Sequence, residues 1–95
     1  MPDIYGVTYG KGGMANKKIE RVQTGVRIEK RILKVLKAVA AQHEMSLGDL
    51  LEGILLHSFE GRSPFDDDTL AFIEQMRSAY GLDLTSEDSV PAGQS

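Results

Sequence analysis

Between residues 22 and 28 apolar and polar side chains alternate, and from residue 29 onward the apolar spacing lengthens to that of a helix. Val22, Thr24, Val26 and Ile28 would lie on one face of an extended segment, with the polar residues on the other face. A strand needs a hydrogen-bonded partner, because its backbone donors and acceptors otherwise stay unpaired. No other part of the sequence alternates convincingly, so the pattern predicts pairing with a second copy of the chain.

Three amphipathic helices are predicted after this segment. The first spans residues 30–43, where apolar residues recur three and four positions apart. The second begins after Ser46, a favoured N-cap residue, and ends near Gly61. The third spans residues 67–80 and starts with acidic side chains, which a helix N-terminus favours. Gly53 inside the second helix is interpreted as a position where another helix packs closely.

Composition predicts one small domain with tails, because 41% of the 95 residues are hydrophobic and 26% are charged. Residues 1–20 are predicted to be a flexible, glycine-rich basic arm, residues 62–84 an appended helix and residues 85–95 a disordered tail. The sequence has no cysteine and no apolar run long enough for a membrane span, and its first residues lack the apolar stretch expected of a secretory signal. A cytoplasmic protein without a membrane partner is therefore expected.

The charges are separated along the chain. Residues 1–37 hold nine Lys and Arg against three Asp and Glu, a balance of +6, and the remainder holds two against eleven, a balance of −9. A local basic face attracts phosphate more than the net charge of −3 indicates. Within this basic region, Lys30, Arg31, Lys34 and Lys37 could equally form the solvated face of a helix.

The segments "QTGVRI", "EKRILKVLKAVAAQH", "EMS" and "LGDLLEGILLHSF" together resemble the ribbon-helix-helix (MetJ/Arc/CopG-type) family of dimeric DNA-binding proteins. The resemblance covers residues 21–59. It implies a mainly α homodimer in which residues 21–61 give one strand and two helices per chain. The two strands would pair as an intermolecular antiparallel ribbon, with the third helix as an extra C-terminal element.

The resemblance also implies a set of functional residues. Base edges in the major groove would be read by Gln23, Gly25 and Arg27, although Gly25 has no side chain and a merely solvated ribbon is the alternative. Phosphate contacts are expected from Ser46, Leu47, Gly48, Lys17, Lys18, Arg21 and Lys30. For Ser46, ordinary helix capping is an equal alternative. The dimer core is expected to contain Val22, Thr24, Val26, Ile28, Ile32, Val35, Leu36, Val39, Leu47, Leu50, Leu51, Ile54, Leu55 and Phe59.

Two functions follow as expectations. The first is a homodimeric transcriptional regulator, a repressor that binds double-stranded DNA. The second is a dimeric protein-interaction or antitoxin-like adaptor with weak or no DNA binding, whose third helix engages a protein partner. The sequence shows no nucleophilic side chain paired with a base. His43 and His57 are a weak candidate for a metal site, and His57 is expected to be partly buried. Enzymatic activity, a cofactor and a bound metal are therefore not expected.

Overall fold

The computed structural model describes residues 17–90, which form three α-helices and one short 3₁₀ helix. The helices are α1 (Lys30–Gln42), α2 (Leu47–Phe59) and α3 (Asp67–Ala79), and the 3₁₀ helix spans Ser86–Asp88. Each α-helix begins where the sequence pattern predicts. Within residues 17–90, no helix combines the length and the apolar character that a membrane crossing needs.

Side chains cap the N-terminus of every α-helix. The Glu29 carboxylate accepts hydrogen bonds from the first amides of α1, the Ser46 hydroxyl accepts one from the Asp49 amide at 3.0 Å, and the Asp66 carboxylate accepts one from the Thr69 amide at 2.8 Å. These bonds satisfy amides that have no partner inside the helix.

The C-termini of α2 and α3 share one glycine-dependent geometry. Gly61 and Gly81 have φ angles of 71° and 68°, in the left-handed region that glycine adopts without a steric penalty. The next amide along each chain then bonds back into the helix, from Arg62 to His57 and from Leu82 to Arg77. These turns direct the chain from α2 toward α3 and return Leu82 to the core.

The core forms around α1, which packs against both α2 and α3. Five hydrophobic residues are buried among those described, namely Val35, Val39, Ala40, Leu50 and Leu82. The third helix belongs to this core, because Phe72, Ile73 and Met76 pack against it. Gly53 does not mark a close helix contact as interpreted from the sequence, since a Cβ atom built there would meet nothing within 4 Å.

The predicted ribbon-helix-helix fold is wrong, because residues 17–90 contain no strand and the described chain is all-helical. Residues 17–28 make no backbone hydrogen bond with another described residue. The alternating pattern specifies only an extended backbone, whereas a strand also needs a neighbouring edge to pair with. No described segment of the chain offers such an edge.

The residues predicted for the dimer core fall into three groups. Val35, Val39 and Leu50 are buried in the single chain, and Ile28, Leu36, Leu47, Leu51 and Ile54 are partly buried. The exposed members are Val22, Thr24, Val26, Ile32, Leu55 and Phe59. Val22 and Val26 are 84% and 73% exposed, so the apolar face of the extended segment is not covered.

Parts of the predicted arm and tail, residues 1–16 and 91–95, lie outside the described residues.

Candidate nucleic-acid interface

A basic face runs along α1. Lys30, Lys34 and Lys37 are four and three positions apart, so they share one side of the helix, and all three are exposed. Arg27, also exposed, precedes them at the end of the extended segment. None of these four side chains forms an ion pair with another residue of the described range. We refer to Arg27, Lys30, Lys34 and Lys37 as the basic face.

The extended segment, residues 21–28, lies against the start of α2 and encloses a groove of about 780 Å³. The three residues predicted to read bases, Gln23, Gly25 and Arg27, line this groove together with Leu47 and Gly48 of α2. The fold therefore brings the predicted base-reading positions beside the predicted phosphate-binding helix end.

The N-terminus of α2 already carries an internal cap. Because the Ser46 hydroxyl accepts the Asp49 amide, Ser46 acts as the ordinary helix cap that the sequence left as an alternative. The carboxylate of Asp49 lies in the first turn of the helix. It adds a negative charge where an incoming phosphate would approach, so the Leu47 and Gly48 amides offer a weakened anion site.

Arg21, at the start of the extended segment, forms an ion pair with Glu52 of α2. Arg21 Nε lies 2.8 Å from Glu52 Oε2 and Arg21 Nη2 lies 3.0 Å from Glu52 Oε1, a bidentate pair. The hydrogen bonds raise the pKa of Arg21 and lower the pKa of Glu52. Of the other three cations predicted to contact phosphate, Lys18 pairs with Glu20 at 2.9 Å, Lys17 is exposed and Lys30 belongs to the basic face.

Arg31 is occupied by structural contacts, although it lies between two lysines of the basic face in sequence. Its Nε atom is 3.0 Å from Glu29 Oε2, and its Nη1 atom is 3.0 Å from the Gly81 carbonyl and 3.1 Å from Asp83 Oδ1. It therefore joins the start of α1 to the segment that follows α3.

Sequence reasoning missed the distant partners of the basic residues, among them Glu52 and Tyr80. Lys34 Nζ lies 5.8 Å from the centre of the Tyr80 ring, within range of a cation–π contact. Glu52 is 31 positions from Arg21, and Tyr80 is 46 positions from Lys34. No local spacing signals either contact, because both depend on how α2 and α3 pack on α1.

The two histidines do not form a metal centre. His43 is the C-cap residue of α1, and its Nε2 atom lies 3.2 Å from Thr69 Oγ1. His57 is exposed, so the prediction of its partial burial is wrong. Within residues 17–90, no group of three or more His, Cys, Asp or Glu side chains could hold a metal ion.

Acidification is expected to release the extended segment from α2. The pKa of Glu52 is lowered by folding, so its pair with Arg21 adds stability above the ordinary glutamate pKa of 4.5, and that stability is lost as the pH falls through the lowered value. The backbone NMR signals of residues 21–26 should move toward random-coil positions over this range. Glu52→Gln should produce the same shifts near neutral pH, whereas Glu60→Gln should not. Unchanged signals in Glu52→Gln would show that the pair does not hold the segment.

No family model, curated protein or solved structure matches the chain.

Proposed function

We propose that the chain is a homodimeric DNA-binding regulator, which represses transcription by occupying its DNA site. The observation that carries the proposal is the basic face, four exposed cations without a carboxylate partner among the described residues. Other arginines of the described chain, such as Arg21 and Arg31, are bound to carboxylates. Several exposed cations without carboxylate partners favour an anionic ligand that spans several charges.

Duplex DNA fits this spacing of charge. Lys30, Lys34 and Lys37 cover two turns of α1, and each lysine that neutralises a phosphate releases a counterion. Phosphate contacts add binding affinity, but they do not distinguish one base sequence from another. Gln23 and Arg27 project from the adjoining extended segment and have the chemistry to pair with adenine and guanine edges, respectively.

The homodimer is supported by the small core and by an exposed apolar patch on α2. A core of five buried hydrophobic residues, with neither disulfide nor metal among the described residues, is small for an independent domain. Leu55, Leu56 and Phe59 are 49%, 62% and 79% exposed at the C-terminal half of α2. Clustered exposed apolar residues of this kind mark association surfaces. A dimer would also present two basic faces to one DNA molecule.

Fluorescence anisotropy with labelled duplexes tests the proposal. The full-length protein would be titrated against DNA from upstream of its own gene and against a shuffled duplex. If Lys30, Lys34 and Lys37 contact phosphates, the dissociation constant, counted for one chain of the dimer, should rise roughly fortyfold between about 50 and about 200 mM salt. Arg27→Ala should reduce the preference for the upstream sequence, because Arg27 is proposed to contact a guanine edge. Absence of binding at the lower salt concentration, by a protein that remains folded, would refute DNA binding.

The α2 patch is expected to hold the dimer together. Replacing Leu56 and Phe59 together with glutamate would place two charges in the proposed interface, so the protein should sediment as a monomer. The control is Leu70→Glu, which adds a charge at an exposed leucine of α3 and should leave the dimer intact. A dimer that survives the double substitution would exclude this surface as the interface.

The second candidate is a dimeric protein-interaction module, such as an antitoxin-like adaptor. Asp49 at the start of α2 and the pairing of Arg21 with Glu52 both weaken the surface toward phosphate. The region from residue 38 onward has a balance of −9, which suits a basic protein partner for α3. This candidate would be favoured if the dimer failed to bind DNA and instead bound a basic protein encoded in its own operon.

A further inference from the structure

A second cavity, of about 250 Å³, lies away from the basic face. It opens where the end of α1, the middle of α2 and the start of α3 meet. The walls combine apolar side chains, among them Leu50, Ile54 and Phe65, with the polar side chains of His43, His57, Asp66 and Thr69. Apolar walls with a few convergent polar groups are typical of small-molecule sites.

His57 presents an acceptor nitrogen. Its Nδ1 atom lies 2.8 Å from the Gly53 carbonyl oxygen, which can only accept a hydrogen bond, so Nδ1 carries the hydrogen. In the neutral ring the other nitrogen, Nε2, is then an acceptor. No hydrogen bond from the described residues reaches Nε2.

Asp66 presents a carboxylate. The Thr69 amide donates to Asp66 Oδ1 at 2.8 Å, and this bond lowers the pKa of Asp66, so the side chain is ionised at neutral pH. A carboxylate has about four acceptor positions, so Asp66 can accept further bonds while it caps α3. The negative charge disfavours an anionic ligand at this cavity.

Gly53 leaves the α2 wall of the cavity open. A Cβ atom at this position would meet nothing within 4 Å, so the missing side chain does not serve helix packing. Gly48, earlier in α2, has the same open surroundings and does not line this cavity. The two glycines therefore provide a matched pair for substitution.

We propose that this cavity binds a small primary ammonium ion with an aromatic or branched apolar body. The ammonium group has three donors and no acceptor, which complements the Asp66 carboxylate and His57 Nε2. The apolar body would lie against Leu50, Ile54 and Phe65. A cavity of about 250 Å³ suits a single ring with a short side arm. This site is independent of the proposed DNA binding.

Benzylamine is the probe for this proposal, with benzyl alcohol and benzoate as neutral and anionic comparators. Titrations of the full-length protein would be followed by two-dimensional ¹H–¹⁵N NMR. Benzylamine is expected to shift the amides of Gly53, Phe65 and Thr69, with a dissociation constant at least about tenfold below that of benzyl alcohol. Benzoate should cause no saturable shift. Equal affinity for the amine and the alcohol, or no saturable shift with benzylamine, would overturn the proposal.

Two substitutions in the cavity and one control substitution test whether benzylamine binds at this site. Asp66→Asn should weaken benzylamine binding at least about tenfold while it preserves α3, because asparagine is an equally good N-cap residue. Gly53→Leu should block the cavity, whereas Gly48→Leu should leave the affinity unchanged. Far-ultraviolet circular dichroism checks that each variant is folded. Full affinity in folded Asp66→Asn, or equal effects of the two glycine substitutions, would exclude this cavity as the amine site.

Discussion

Replacement of Lys30, Lys34 and Lys37 together by glutamine is expected to weaken DNA binding roughly a hundredfold per chain at 0.15 M salt. Each phosphate contact contributes about 0.9 to the slope of the logarithm of affinity against the logarithm of salt concentration, so three contacts contribute about 2.7. The slope itself is the decisive measurement, because it reports the number of phosphates neutralised. Affinity for specific and shuffled duplexes should fall together, since phosphate contacts carry no sequence information.

Arg62→Gln is the control for a general loss of positive charge. Arg62 is exposed, lies beyond the end of α2 and pairs with Glu60 at 3.6 Å, away from the basic face in sequence. Its replacement should leave the salt slope within about 0.3 of the original value. If the control and the triple variant lower the slope equally, the basic face is not the DNA-binding surface.

Leu50→Ala is expected to lower the free energy of unfolding by about 2 to 5 kcal/mol. Leu50, on α2, is 6% exposed and belongs to the buried hydrophobic cluster around α1. The shorter side chain therefore leaves a cavity that the helices fill only in part. Domains are stable by only about 5 to 15 kcal/mol, and a small core belongs at the low end of that range. Leu50→Ala should therefore remove a large part of the total stability and lower the midpoint of urea unfolding.

Leu70→Ala provides the matched comparison for this core substitution. Leu70 is 44% exposed on α3, so the same chemical change removes fewer contacts and should cost less than about 1 kcal/mol. Urea unfolding followed by circular dichroism measures both variants at one protein concentration, because a dimer gains stability with concentration. Equal losses for Leu50→Ala and Leu70→Ala would contradict the arrangement of the core around α1.

The helix boundaries were predictable because their causes are local. Ser46 and Asp66 lie three residues before the amides they accept, and Gly61 follows the end of α2 with the left-handed backbone that glycine favours. The shared face of Lys30, Lys34 and Lys37 follows from helical periodicity alone. These features involve contacts a few positions apart, so one segment contains all the information needed.

The prediction of the ribbon failed because strand pairing is not local. The alternation of Val22, Thr24 and Val26 is compatible with a paired strand and with an isolated extended segment, and the structure has the second. The sequence also does not show which arginines remain free to bind a ligand. Arg21 and Arg27 look alike in the sequence, but only Arg21 meets a carboxylate when the segment lies against α2.

The sequence by itself therefore determined three capped helices, their polar and apolar faces, and the concentration of positive charge before residue 38. Only the tertiary structure decided that the third helix shares the core of the first, that Glu52 and Asp83 occupy Arg21 and Arg31, and that a cavity forms beside Gly53. The physical reason is the range of the forces involved. Helical hydrogen bonds and caps join neighbouring residues, whereas burial and ion pairing depend on which distant surfaces exclude water together.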